Sequence, residues 1–205
     1  MARKAPNLWQ EFKRQSIQEA VIRLMCREGL KSVTMERVAH EVGIAKGTVY
    51  LHFSDKETLL ESVKDASLDP LMERIDEVYR ADAPPDRKLR TYSQRYLTYF
   101  DERRDLFRIL LYEREVPRSS GSRFRGNRYR RLVSETARVI KEGVKQGVFR
   151  EVDPQKTAAM FVEANFAILN QRLLNEKPSP VEDDANLLAE VFLRGLSNGK
   201  RRASK

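Results

Sequence analysis

The chain has 205 residues and a formal net charge of +9, with 39 Lys and Arg against 30 Asp and Glu, a balance that favours a polyanionic partner such as nucleic acid or an anionic membrane surface. No run of 18 apolar residues is long enough to span a bilayer, and Met1 to Gln10 lacks the apolar core of a signal peptide, so a cytoplasmic protein without a membrane partner is expected. A single cysteine, Cys26, excludes an internal disulfide, and two histidines, His40 and His52, leave too few ligands for a metal site; with no Ser/His/Asp or paired-carboxylate arrangement, no catalytic residues, cofactor or metal are expected.

In chain order the periodicity is helical almost throughout. Ile17, Ala20, Val21, Leu24 and Met25 share one face of a first helix that Gly29 ends. Thr34 is a candidate N-cap for a short second helix to about Val42. Gly43 interrupts it, and a third helix runs from about Ala45 to His52. Ser54-Asp-Lys-Glu57 has the form of a capping box opening a long fourth helix toward Arg80, and Ala81 to Pro85 is a connector. Helices are then expected over about Arg87 to Glu102, Asp105 to Arg114 and Asn127 to Gln146, with Pro117 to Gly126 as a loop. Asp153-Pro154 opens another helix to about Asn175, and Ser179-Pro-Val-Glu182 precedes a last one to Leu196. The fold class is all-α with about nine helices. A DNA-binding domain over residues 1–54, a ligand-binding and dimerising domain over 55–196 with 55–80 as linking helix, and a disordered basic tail over 197–205 are expected.

The pair of helices around Gly43 fits a helix-turn-helix. Ala39 is small where two helices must touch, Gly43 tolerates positive φ in the turn, and Val49 faces back from the second helix. The stretch Ile17 to Val63, with Ala20, Gly29, Thr34, Val38-Ala39, Val42-Gly43-Ile44, Gly47-Thr48-Val49-Tyr50, His52-Phe53, Lys56-Glu57 and Leu59-Leu60, resembles the DNA-binding domain of the TetR family of bacterial repressors. The resemblance implies a ligand-responsive, homodimeric transcriptional repressor released from a palindromic operator by a small molecule. An activator uses the same DNA-binding part. The rival from another class is a helical enzyme or lipid-binding protein with an incidental hairpin.

That resemblance implies DNA contacts from Thr34, Lys46, Gly47, Thr48, Tyr50, His52 and Lys56. Lys46 can reach guanine O6 and N7, and Thr48 a thymine methyl or a phosphate. Gly47 allows close approach, while Tyr50, His52 and Lys56 resemble phosphate clamps. The competing readings are a core aromatic for Tyr50 and an idle surface histidine for His52. Leu51 stands where many relatives have a larger or polar group. Arg3 and Lys4 are either a minor-groove arm or a solvated tail.

Beyond the connector, residues 86–150 hold 18 basic against 8 acidic side chains. Tyr92, Tyr96, Tyr99, Phe100, Phe107 and Tyr112 recur near helical spacing and are either core or the wall of a ligand site. Asn165 and Asn170 interrupt an apolar helix as candidate polar anchors or interhelical contacts. The arginines from Arg118 to Arg131, among them Arg123, Arg125 and Arg128, are a solvated face, an anion site or an accessory DNA contact. The candidate effector set is Tyr92, Tyr96, Tyr99, Phe107, Arg123, Arg128 and Asn165. Helices 154–175 and 181–196, apolar on more than one side, are the expected dimer faces.

Overall fold

The computed structural model describes residues 8–108 and 122–198, with side chains at all of these except 122–126. Arg3, Lys4, Tyr112, Arg118 and the tail beyond Asn198 lie outside the described residues. So do the side chains of Arg123 and Arg125. Among the described residues the architecture is all-α: α1 (Leu8–Glu28), α2 (Met35–Val42), α3 (Lys46–His52), α4 (Lys56–Arg80), α5 (Pro85–Asp101), α6 (Ser122–Lys145), α7 (Pro154–Leu174) and α8 (Val181–Leu196). A 3₁₀ turn at Leu30–Ser32 follows α1, and helical backbone also covers 104–108. The chain divides into two compact units, 1–70 and 71–205. The division falls inside α4, so the first half of the linking helix is grouped with the N-terminal unit.

In the first unit, Ile17, Ala20, Val21 and Leu24 of α1 are sealed against Val33, Val38, Val49, Phe53 and Leu59, all at most 1% exposed. The helix boundaries follow from local chemistry. Gly29 and Gly43 take φ of 80° and 74°, which L side chains resist. Thr34 Oγ1 accepts the Arg37 amide at 3.2 Å and so caps α2. The expected box at Ser54 does not form. Asp55 caps α4, its Oδ1 accepting the Thr58 amide at 2.7 Å, while the Ser54 hydroxyl donates to Asp55 Oδ2. Two cap-competent residues stand side by side, and the carboxylate wins because it accepts more strongly from helix N-terminal amides.

In the second unit, α5 begins at Pro85, two residues before the expected Arg87, since proline suits the first helical position. Helix α6 begins at Ser122 rather than Asn127, so part of the expected loop is helical. The arginines on either side of Gly126 are good helix formers, and one internal glycine costs only about 1 kcal/mol. Asp153 caps α7 through the Gln155 and Lys156 amides at 2.9 and 3.1 Å. Ser179 does not cap α8. Its hydroxyl donates to Asp184 Oδ1 at 3.1 Å, and Pro180 holds the N-cap position without a side-chain bond.

Arg172, on α7, is a buried charge tied to three elements. Its guanidinium donates to Asp101 Oδ1 at 2.7 Å, to Asp184, and to the Ser179 carbonyl at 2.9 Å. Ser197 and Asn198, expected in the tail, instead pair with the turn after α6. Phe149 bridges Ser197, and the Arg150 amide donates to the Leu196 carbonyl at 2.8 Å. Free carbonyls at the end of α8 are thereby satisfied.

That turn folds Phe149 back onto α6, where a Cβ at Gly143 would overlap its ring. Alanine in place of a helical glycine ordinarily stabilises by up to about 1 kcal/mol. Here overpacking reverses the sign, and Gly143→Ala should destabilise the protein by about 1–3 kcal/mol. Urea denaturation checks this, and an unchanged or raised midpoint would contradict the steric account.

Candidate nucleic-acid interface and effector cluster

Helix α3 has one sealed residue and several open ones. Val49 is fully buried, whereas Tyr50 is 45% and Leu51 85% exposed. Lys46 and Gly47 are also exposed, and Thr48 is half-buried. The turn that aims α3 is made by Gly43, whose amide donates to the Ala39 and His40 carbonyls, and by Ile44, whose amide reaches Ala39 at 3.0 Å. Ala39 is 3% exposed, as the contact between the helices requires. Tyr50 is therefore no core aromatic, and Phe53, at 1%, is.

The structure adds partners that residue spacing alone did not indicate. Lys46 Nζ is ion-paired with Glu36 on α2 and sits 5.7 Å from the Tyr50 ring centroid. The hydrogen bond between them raises the Lys46 pKa and lowers that of Glu36. Glu36 and Lys46 lie ten residues apart across the Gly43 turn, a separation that the helix-turn-helix reading itself closes. His52 is half-buried beside Phe53. Burial holds its pKa down, and the neighbouring Lys13 and Arg14 charges lower it further. The imidazole is thus neutral at pH 7 and keeps one N–H to donate. The Arg14 guanidinium also stacks 4.6 Å from the Phe53 centroid. Lys56 stands half-buried at the start of α4, with Nζ 3.4 Å from the Leu30 carbonyl. Thr34 Oγ1 accepts from the Arg37 amide, and its hydroxyl also bonds the Glu36 carboxylate.

In the second unit the aromatic stripe becomes a continuous chain of rings between α5 and α7. Tyr92 stacks on Tyr96 at 5.6 Å and tilts against Phe161 at 5.3 Å. Tyr96 meets Phe100 at 5.1 Å, Phe100 meets Phe107 at 5.4 Å, and Phe107 meets Phe166 at 5.0 Å. Tyr79 of α4 joins the chain at 6.1 Å from Tyr92. Tyr99 packs on Phe100 at 5.5 Å, its ring also faced by Arg103 at 4.3 Å and Arg74 at 5.5 Å. Asn165 is fully buried, its Nδ2 donating to the Phe161 carbonyl at 2.8 Å. Asn170 and Arg128 are half-buried, and Arg123 lies on α6 by its backbone. The structure thus brings Tyr92, Tyr96, Tyr99, Phe107 and Asn165 into one neighbourhood, together with Phe100, Phe161 and Phe166. Sequence reading had not set Phe161 and Phe166 apart from the rest of an apolar helix.

Among the described residues no group of His, Cys, Asp and Glu could hold a metal ion, and no helix is long and apolar enough to cross a membrane. Residues 17–63 match the family model of bacterial regulatory proteins, tetR family, and residues 82–168 match that of the tetracyclin repressor-like C-terminal domain. The HTH-type transcriptional regulator YhgD of Bacillus subtilis is 24% identical over 181 residues, covering 88% of this chain and 95% of that protein. The transcriptional regulator FadR of Bacillus subtilis, solved with stearoyl-CoA, superposes with a TM-score of 0.80 at 18% identity over 89% of this chain and 98% of its own. SmeT, solved with triclosan, superposes at 0.76 and 18% identity over 92% and 93%. With both of its parts matched and a helix-turn-helix that leaves the start of α3 open, the chain belongs to the tetR family of bacterial regulatory proteins and is a DNA-binding transcriptional regulator.

Proposed function

We propose that the protein acts as a homodimeric repressor whose two α3 helices enter successive major grooves of a palindromic operator, and which a small molecule bound among α5 and α7 releases. The observation that carries the DNA contact is the polarity of α3: Val49 is sealed inward while Lys46, Gly47, Tyr50 and Leu51 face out. Lys46 and Thr48 are the base-edge candidates. Thr34, Tyr50, His52 and Lys56 are placed for phosphates. Leu51, at 85% exposure, offers an apolar surface suited to a thymine methyl.

The dimer rests on a second observation. Met160 and Leu174 of α7 are 66% and 80% exposed, and Leu187 and Val191 of α8 are 57% and 65%. Ala164, half-buried, and Ala167, exposed, complete the stripe at helical spacing between Met160 and Leu174. Two such faces brought together by a twofold axis bury apolar surface that each protomer leaves in water. Half-sites about 34 Å apart then fix the productive spacing of the two recognition helices. An effector that prefers a differently spaced state weakens operator binding, and by linkage the operator weakens effector binding equally. The effector set is the ring cluster of Tyr92, Tyr96, Tyr99, Phe107 and Asn165. Tyr79 supplies the route to α4, since its ring touches Tyr92.

Gly47 gives the sharpest test. A Cβ there would meet nothing within 4 Å, so the folded protein has no need of glycine and Gly47→Ala should preserve or slightly raise stability. Operator affinity should nonetheless fall by tenfold or more, roughly the loss of one good base-edge contact. Lys56→Ala should weaken binding to all sequences and reduce the salt slope by about one unit, while Lys46→Ala should change which bases are selected from random DNA. Full operator affinity in all three would end the docking scheme. For assembly, sedimentation of the wild type should give a dimer at micromolar concentration. Ala167→Glu should sediment as a folded monomer, because an unpaired charge in that interface costs several kcal/mol.

A further inference from the structure

The ring cluster contains a feature that packing alone does not require. Tyr92 Oη, Ser93 Oγ and Asn165 Oδ1 are completely buried and have no hydrogen-bond partner among the described residues. A buried polar atom without a partner is ordinarily costly, and three of them lie on the facing helices α5 and α7. The contrast with Tyr79 is instructive. Its ring lies 6.1 Å from that of Tyr92, yet its hydroxyl is bonded to Thr136 at 2.7 Å. The fold can satisfy a tyrosine in this neighbourhood, and at position 92 it does not.

The chemistry of the orphans selects a ligand. The Phe161 carbonyl can only accept, so the Asn165 amide nitrogen faces it and Oδ1 is left as a pure acceptor. An acceptor demands a donor, O–H or N–H, from the ligand. Tyr92 and Ser93 can each donate or accept. Three arginines of this unit are engaged elsewhere: Arg172 with Asp101 and Asp184, Arg103 with Glu102 and the Tyr99 ring, and Arg104 with the Arg172 carbonyl. A carboxylate seated at Asn165 would face an oxygen lone pair beside the Tyr92 and Phe161 rings, a costly place for a buried charge.

We infer that the buried end of the effector is a neutral hydroxyl or N–H group on an apolar, ring-sized body, bonded to Asn165 Oδ1 and the Tyr92 hydroxyl. The inference rests on the proposed effector site and narrows it to uncharged hydroxylated or amide-bearing molecules, leaving the α6 arginines outside recognition.

The test uses the full-length protein with 2-naphthol, naphthalene and 2-naphthoate at pH 7, read by calorimetry and by thermal shift. 2-Naphthol should bind at least about tenfold more tightly than either analogue, as expected when a buried polar group is left unpaired by the wrong ligand. Asn165→Leu and Tyr92→Phe should each remove that preference, whereas the Arg123→Ala/Arg125→Ala/Arg128→Ala variant should keep it. Tyr92→Phe has a readout independent of any ligand: an orphan hydroxyl can be deleted without loss, so the unliganded melting temperature should stay level or rise. Tighter binding of 2-naphthoate, abolished in the arginine variant, would overturn the neutral class while leaving an effector site in place. No binding of any probe, or a clear loss of stability in Tyr92→Phe, would overturn both the inference and the site on which it rests.

Discussion

A helix of seven residues cannot hold itself together. Two turns supply too few backbone hydrogen bonds to offset nucleation, so α3 exists only because the rest of its unit clamps it. One side chain, Val49, provides the clamp. Fully buried against the core of α1 and α2, it fixes the rotation of α3 about its own axis, and that rotation decides which residues face out. The left-handed Gly43 sets the angle at which α3 leaves α2, and the Asp55 cap starts α4 immediately afterwards. The positions of Lys46, Gly47, Thr48 and Tyr50 follow from these few groups.

The C-terminal unit handles polarity in two ways. Where α5, α7 and α8 converge, a buried guanidinium is fully matched: Arg172 meets two carboxylates and a carbonyl. Removing one partner there would leave an uncompensated buried charge. Within the ring cluster the opposite holds, and neutral polar atoms lack partners. A protein that satisfies a buried arginine has the means to satisfy a tyrosine, and this contrast is what supports the proposed effector site.

Legibility in the sequence followed the range of the interactions. Gly29, Gly43 and Asp153-Pro154 act within four residues, and each ends or opens a helix where its chemistry says it should. The box at Ser54 fails because the Asp55 carboxylate takes the helix amide instead, and Ser179 fails because Pro180 holds the N-cap position while the Ser179 hydroxyl bonds Asp184. The start of α6 was read too late because Gly126 and the charged run around it resemble a loop by composition, whereas arginine extends helices well. Long-range partners were not legible at all. Arg172 and Asp101 are separated by 71 positions, and nothing local to either distinguishes a buried arginine from a solvated one. The approach of Lys13 and Arg14 to His52 is of the same kind. For α3, spacing suffices to name the residues, and burial decides between the two readings of Tyr50, which is exposed.

Helix α4 carries Pro70 in its interior. Proline has no amide hydrogen, so the carbonyl one turn earlier, at Ala66, receives no donor from it, and the ring crowds that carbonyl. The 25-residue rod therefore has a missing rung near its middle, at the residue where the compact N-terminal unit ends. In mechanical terms its bending stiffness is not uniform. The helix is therefore easier to bend beside Pro70 than elsewhere along its length.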